Sequence, residues 1–432
     1  MNINKIKSQF KLVDYSNEYS NLVSFGSNKF QSTHRWYSFV EGYSSEFVRR
    51  ILGEQTRNIN KCLEPFGGIG TTALTCQRHN IECYSIENNP FFFNTARAKL
   101  YPYNSLRFQN YIKEFRVYLS SCKSRIKLPE LESKTFFQDN EKDKWIFHKE
   151  VSNGIGDILK MIDSLKEDVD EHYAILFEIA LANILIPFSN VFRNGKCLSY
   201  KKDWKEKKYK RKDVHKGFLD ICDLILVDVR TNEMLSSDVD NFSKYFNDDS
   251  RNKVKEFDDN YFDLMITSPP YLNSRDYTDV YRLELWILGY VKKFEKEREI
   301  RKSALTSHVQ IQIPETSYPN VKEIDTFLNH LNSLNGNLWN SNIPNMIKGY
   351  FNDMEGVLRD VYNKLDVNGK AYINVSNSAY GKKICNVDLI LSEIAEGLNF
   401  TVDEIRIARI INTSSQQKID EPMRESVIVL SK

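Results

Sequence analysis

The chain has no CxxC pair, no long apolar run and almost no net charge, and each absence removes a class of protein. Its seven cysteines, at 62, 76, 83, 122, 197, 222 and 385, are odd in number and scattered. That argues against a disulfide framework and predicts reduced thiols with no metal bound. The segment MNINKIKSQFKLVDYSNEYSNLV lacks the apolar core of a signal peptide, and no run approaches the ~20 apolar residues that cross a bilayer. A cytoplasmic protein with no membrane partner is therefore expected. Lys and Arg total 60 against 58 Asp and Glu, so only local segregation of charge can point to a partner.

What is present is an alternation of short apolar runs with helical patterns, the mark of an α/β chain with a mostly parallel sheet. KCLEPF (61–66) and IECYSIE (81–87) flank the helical TTALTCQRHN, and NPFFFNTARAKLYPY opens another helix. LILVDV (224–229), FDLMIT (262–267), KAYINV (370–375) and RESVIVLSK (424–432) read as further strands, and NVDLILSEIAEGLNF as a helix that stops at a Gly. At 432 residues the chain exceeds the roughly 250–300 at which single cores stop growing. Two further βα units at ~30 residues each cannot fill the interval from Gly70 to Ser268, so more than ~100 residues there are surplus. The expected division is a first half of the sheet domain over 1–105, a mainly helical insertion over 106–220 and the second half over 221–432. A smaller polar, Asn-rich insertion is expected near 293–348.

LEPFGGIGTTAL places Gly67, Gly68 and Gly70 between a strand and a helix, where glycines let backbone amides approach a ligand. Acids stand at the strand ends: Glu64 before the loop, Glu87 after the second run, Asp228 after LILVDV. A carboxylate at the second strand's end suits ribose hydroxyls, and an Asp after the third can accept from an adenine amine. No Lys follows the loop as in a phosphate-binding GKT, so the pocket suits a positively charged nucleoside. S-adenosyl-L-methionine has that profile, with its sulfonium and ammonium near Glu64.

FDLMITSPPY ends an apolar strand in two prolines, which have no ladder N–H and bias the preceding residue toward extended backbone. Carbonyls of Ser268 and Pro269 are thereby freed at the carboxyl end of a strand, where ligands of open α/β sheets bind. A Ser hydroxyl, a fixed carbonyl and the plane of Tyr271 suit an exocyclic base amine, whose lone pair is freed by hydrogen bonds taken from its N–H groups. Such a base must leave the duplex stack, a cost partly recovered by stacking.

These residues resemble the amino-methylating DNA methyltransferases, in particular the cytosine-N4 type with an SPPY motif. EPFGGIG resembles their motif I, IENNP motif II, VDVR motif III, ITSPPY motif IV and HRWYSFVEGYSSEFV (34–48) motif X; GKAYINVSNSAYG, NTSSQQ and RESVIVL are similar to their later strands. The resemblance implies a Rossmann-like class I methyltransferase sheet and a cofactor held by Glu64, Pro65, Phe66, Gly67, Gly68, Gly70, Thr71, Glu87, Asn88, Asp228 and His34. Catalysis would fall to Ser268, Pro269, Pro270 and Tyr271. In that family Ser in motif IV usually accompanies cytosine N4, and Asp or Asn adenine N6. A cognate restriction endonuclease acting on the same sequence is a partner the family implies.

The strongest charge anomaly is FRNGKCLSYKKDWKEKKYKRKDVHKG (192–217), with aromatics Tyr200, Trp204 and Tyr209 interleaved. Arg193, Lys201, Lys202, Lys205, Lys208, Lys210, Arg211 and Lys212 are its expected contacts to the phosphates of double-stranded DNA. Lys196 and Lys207 belong to the same run. The reading is therefore a site-specific DNA methyltransferase that flips a cytosine. Its rivals are an adenine-N6 or RNA amine methyltransferase and an inactive nucleic-acid-binding module.

Overall fold

A computed structural model describes residues 8–122, 128–139, 143–168, 171–195, 197–206, 208–235, 243–310, 313–334, 338–411 and 422–432. NTSSQQ, Lys196 and Lys207 lie outside them. An eight-stranded sheet runs through the molecule: β1 (Leu12–Asp14), β2 (Lys61–Glu64), β3 (Glu82–Ile86), β4 (Lys244–Phe246), β5 (Phe262–Thr267), β6 (Leu365–Ser376), β7 (Thr401–Ile411) and β8 (Met423–Ser431). Their spatial order is β1-β7-β8-β6-β5-β2-β3-β4. The five strands from β6 to β4 are parallel, and β8 runs antiparallel to both neighbours. From β2 the chain moves outward to β3 and β4, then crosses back to β5 and β6. The strand order thus reverses between β2 and β5, which pair through Cys62↔Leu264 and Leu63↔Met265.

Strands with helices on both faces need apolar residues throughout, and β5 shows it: Phe262, Leu264, Met265 and Ile266 are all buried. The helices that cover the sheet start where local chemistry dictates. Asn89 caps α3 (Pro90–Leu100), accepting from the Phe91 N–H at 3.0 Å, with Pro90 in the first turn. The earlier helices α1 (Ser45–Gly53) and α2 (Thr71–Arg78) flank β2 in sequence.

Between β3 and β4 stand four long helices: α4 (Ser105–Ser121), α5 (Lys149–Asp168), α6 (Glu171–Phe188) and α7 (Arg211–Leu235). They pack on one another, and α6 is buried from Tyr173 to Leu185 apart from Asn183. By length and composition α6 meets the criteria for a membrane span, contrary to the expectation that no run would; its burial among its neighbours accounts for its apolar character.

LILVDV is not a strand. It lies inside α7, where Val214, Phe218, Cys222, Ile225, Leu226 and Val229 are buried at helical spacing. A short apolar run cannot by itself distinguish a buried strand from one face of a helix. The frame of buried positions beginning at Val214 decides it, and the division expected at 220 falls in the middle of a helix. The strand that takes its place is β4, only three residues long and at the sheet edge. The smaller polar segment contains α8 (Phe294–Lys302) and α9 (Lys322–Ser333), followed by α10 (Ile343–Lys364) and α11 (Val387–Gly397).

Candidate active site

At the carboxyl ends of β2, β3, β4 and β5 the surface opens into a cavity of about 1060 Å³, open solvent at its mouth included. Separate stretches of sequence converge on it: Phe39 to Tyr43, Pro65 to Ile69, Glu87 to Asn89, Asp249 and Ser250, the turn after β5 through Ser268 and Pro270, Asp276 to Thr278, and Ile300 to His308. Among the residues expected at a cofactor, Pro65, Phe66, Gly67, Gly68, Thr71, Glu87 and Asn88 line it, while Glu64, Gly70, His34 and Asp228 do not.

The glycine loop is built for shape. A Cβ on Gly67 would stand 2.3 Å from Tyr245 Oη, and Gly70, at φ +82°, would bring one within 2.9 Å of Ala96 Cβ. Its amides are spent within the protein: Gly67 N–H donates to Ile86 O at 2.8 Å, Gly68 N–H to Glu87 Oε2 at 2.9 Å and Gly70 N–H to Gly67 O at 3.0 Å. The expectation that these glycines offer amides to a ligand is corrected. They offer close approach without Cβ, and these three N–H groups form no phosphate cradle.

Glu87 is held by that loop. Its carboxylate accepts from Gly68 N–H and, at 2.7 Å, from Asn89 N–H, and it faces the cavity. Burial raises its pKa to about 7 against the pull of those donors. Glu64 lies beneath the loop instead. Its Oε1 accepts from Thr267 Oγ1 and from Phe66 N–H at 3.2 Å; its Oε2 accepts from Tyr43 Oη and from Thr72 Oγ1 at 2.8 Å. Two donors on each oxygen leave no place for a ligand's ammonium, so Glu64 ties β2 to β5 and to the 39–43 segment. Burial pushes it up to about 8.

Asp228 is a structural acid on α7. It accepts from Thr33 N–H at 3.0 Å, Trp36 Nε1–H at 3.1 Å and Arg35, whose Nη2 is 2.6 Å away. Those bonds clamp the 33–36 turn to α7. Thr33 sits in that turn at φ +67°, a conformation that side chains rarely adopt. The third strand's acid is Asp249, which follows β4 and lines the cavity with Ser250. The cluster NDDS after an aromatic pair was its sequence signal. His34 is buried with neither ring nitrogen bonded, and burial, then the charge of Lys99, holds it well below the ordinary histidine range. It is a core residue of the turn.

The turn after β5 places Ser268 and Pro270 on the cavity and buries Pro269 behind them. The Pro269 carbonyl expected to hold an amine therefore belongs to a residue that does not line the cavity. Tyr271 turns its hydroxyl inward: Oη donates to Glu425 Oε1 at 2.7 Å and receives Asn374 Nδ2–H at 2.7 Å. Glu425, on β8, also accepts from Arg409 Nε at 2.6 Å. Ser268 Oγ–H points at Tyr271 Oη, 3.4 Å away, which leaves its lone pairs for the cavity. Nothing in the SPPY sequence announced Glu425, Asn374 or Arg409, which come from strands that follow it by a hundred residues or more.

Beyond the turn, Glu41 Oε1 pairs with Arg275 Nε at 2.7 Å and Glu41 Oε2 accepts from Tyr277 Oη at 2.8 Å. The aromatic segment 39–43 is thereby fastened to the loop that follows the prolines. Phe39, Phe92 and Tyr277 form an apolar wall, with Phe39 and Phe92 edge to face at 5.1 Å.

The basic stretch 192–217 divides. Lys202, Lys205, Lys208, Lys210 and Lys212 are exposed. Arg193 is consumed by Glu284, 2.6 Å away, and by Tyr37 Oη; Arg211 is paired with buried Asp157. Lys201 Nζ donates to the carbonyls of Ile186, Pro187 and Ser189 at the end of α6, where the helix dipole favours a cation. Those three are corrected from phosphate contacts to fold-holding groups. Trp204 is buried against Trp145, at 5.2 Å between ring centroids, and Tyr209 packs on Phe188, so those aromatics are committed inside the protein.

No family model matches the chain. It is 25% identical over 464 residues to the Type II methyltransferase M.BsoBI of Geobacillus stearothermophilus, with 95% of this chain and 88% of that protein aligned. To the Type II methyltransferase M.AvaI of Nostoc sp. it is 26% identical over 440 residues, covering 94% of this chain and 87% of that protein, and M.AvaI of Anabaena variabilis gives the same values. The likeness to Type II methyltransferases thus runs along nearly the whole chain.

Proposed function

We propose that the protein is a site-specific DNA methyltransferase of a restriction-modification system, transferring a methyl group from S-adenosyl-L-methionine to the exocyclic N4 of cytosine. The observation that carries the reading is the convergence of the glycine loop, Glu87 and the Ser268 turn on one cavity at the point where the strand order reverses, in a chain similar end to end to Type II methyltransferases. Strand order and the single antiparallel strand β8 fit a Rossmann-like class I methyltransferase sheet.

The residues present fit the cofactor. Glu87 offers a carboxylate to ribose hydroxyls, the loop allows close approach at Gly67 and Gly68, and no cradle of glycine amides demands a phosphate. Phe39, Phe92 and Tyr277 provide the apolar surface a purine needs. When bound, S-adenosyl-L-methionine supplies a sulfonium methyl group open to nucleophilic attack.

What the protein does is position an amine. Ser268 Oγ, its proton directed to Tyr271, accepts an N–H of the base, which draws the nitrogen lone pair out of conjugation and aims it. Tyr271 cannot swing, because Asn374 and Glu425, the latter itself held by Arg409, fix its hydroxyl. Holding reactants in a near-attack geometry is worth several kcal/mol, up to roughly 7–11 in well-oriented systems. The ring of Tyr271 is the stacking surface for the extruded base. Exposed Lys202, Lys205, Lys208, Lys210 and Lys212 hold the duplex backbone.

Replacing Ser268 by Ala tests the assignment. Methyl transfer to DNA is expected to fall by about 100-fold, the size of a lost positioning hydrogen bond in a reacting site, while calorimetric affinity for S-adenosyl-L-methionine stays within about twofold. Retention of wild-type turnover by Ser268→Ala removes this residue from the chemistry.

A further inference from the structure

One wall of the cavity, formed by the end of α8 and the segment after it, has no role in the chemistry proposed above, and Arg301 lines it. Three of the five N–H groups of Arg301 are committed inside the protein. The one on Nε is shared by Asp276 Oδ2 and, at 3.1 Å, by Thr278 Oγ1; Nη2 donates to Asp279 Oδ1 at 3.2 Å and to Glu297 Oε1 at 3.3 Å. Nη1 has no partner among the described residues and is not sealed from solvent, the side chain keeping 17% exposure. Four acceptors on two nitrogens fix the plane of the guanidinium, so the N–H groups of Nη1 hold their direction with little rotamer freedom left to lose. Its charge is already met by Asp276, Asp279 and Glu297. What Arg301 presents to the cavity is therefore a directed donor for a neutral acceptor, not a site for a phosphate or carboxylate. That donor stands on the side of the turn after β5: Asp276 and Thr278 lie on the loop that leaves Ser268, and the hydroxyls of Ser307 and Ser274 join the same loop to this wall at 2.9 Å.

We propose that Arg301 is a specificity-determining residue, donating from Nη1 to the C2 carbonyl of the extruded cytosine. The inference rests on the cytosine-N4 reading above. An extruded base is read along its Watson–Crick edge, and at the end of that edge away from the amine cytosine carries a carbonyl oxygen where adenine carries only C–H. Ser268 holds the amine end and Arg301 the carbonyl end. Adenine satisfies the first and leaves the second unpaired, and a site rejects look-alikes most strongly when its own polar group is left without a partner.

The test uses two duplexes of the methylated sequence that differ only in the target nucleotide, placed opposite an abasic site so that loss of base pairing plays no part. One carries cytosine. The other carries a 2-aminopyridine C-nucleoside, which keeps the amine and the adjacent ring nitrogen and has C–H where cytosine has its C2 carbonyl. Wild type is compared with Arg301→Lys, which retains a cation for Asp276 and removes Nη1. The variant is expected to lose about tenfold in kcat/KM on cytosine, and the preference of wild type for cytosine over the analogue to exceed the variant's by about tenfold. Calorimetric affinity for S-adenosyl-L-methionine stays within about twofold. Equal preferences in the two proteins, or a parallel loss of cofactor affinity, overturn the assignment. Should Arg301→Lys fail to fold, binding of the two duplexes by wild type decides: a cytosine duplex held about tenfold tighter supports the contact, and equal affinities overturn it. A wild-type protein that methylates adenine, or no duplex, overturns the cytosine reading instead.

Discussion

In the proposed function a single side chain, Glu87, couples the loop to its ligand. Its carboxylate is buried, and the loop's own amides only partly offset the cost of its charge, so its pKa stands at about 7. Accepting ribose hydroxyls requires the ionised form, so a proton competes with the cofactor. Affinity for S-adenosyl-L-methionine should strengthen as pH rises through 7, by no more than about tenfold per unit below it, and level off above 8. Isothermal titration at pH 6, 7 and 8 measures this; Glu87→Gln should bind more weakly at pH 8 and show a flat profile. The carboxyl's raised pKa also means that folding stability tied to its protonated form is present below about 4.5 and is lost as pH rises through 7. The place of Glu87 at the cavity was legible in the sequence because an acid that ends a buried strand stands at the carboxyl edge of the sheet. Glu64 was misread for a related reason: its neighbourhood of hydroxyl donors is assembled from Tyr43, Thr72 and Thr267, distant in sequence, and only packing reveals that its lone pairs are taken.

At the scale of elements, the strands with long apolar runs declared themselves. KCLE, ECYSI, FDLMIT, the β6 run and the β8 run are buried on both faces, and composition alone identifies such segments. β4 did not, because a three-residue edge strand buries too little to need an apolar run, and LILVDV supplied a more attractive decoy. The decoy has its own work. Asp228 projects from α7 and gathers donors from three residues of the 33–36 turn, joining the inserted helices to the segment that leads into the cavity wall at Phe39. Asp228→Ala leaves Arg35, Thr33 N–H and Trp36 Nε1–H without an acceptor. It should cost about 3 kcal/mol, less than a fully buried pair because Arg35 is partly exposed. Denaturant unfolding measures the loss, while cofactor affinity of the folded variant at low temperature should match wild type. A cofactor-contacting role would give the opposite pattern.

For the whole molecule, a near-neutral chain carries a strongly basic stretch at 192–217, and the structure separates its described cations into those that hold the fold and those left to solvent. Replacing Lys205, Lys208 and Lys210 by Ala should weaken DNA binding at all sequences alike and reduce the slope of log affinity against log salt by about 0.9 for each phosphate contact removed. Thermal stability should be unaffected, whereas Arg193→Ala or Arg211→Ala should lower it through the loss of Glu284 and Asp157. That division was invisible in the sequence, where the eleven cations of 192–217 look alike; the partners of Arg193 and Arg211 are supplied by helices far along the chain.

The central claim is that the cavity delivers a methyl group to a base amine. The most direct measurement is to incubate the purified protein with unmethylated duplex DNA and methyl-labelled S-adenosyl-L-methionine, digest the product to nucleosides and identify the labelled one by mass spectrometry. N4-methylcytosine is predicted. N6-methyladenine would contradict the choice of cytosine made on Ser268, and 5-methylcytosine, or no labelled nucleoside, would contradict the amine mechanism itself.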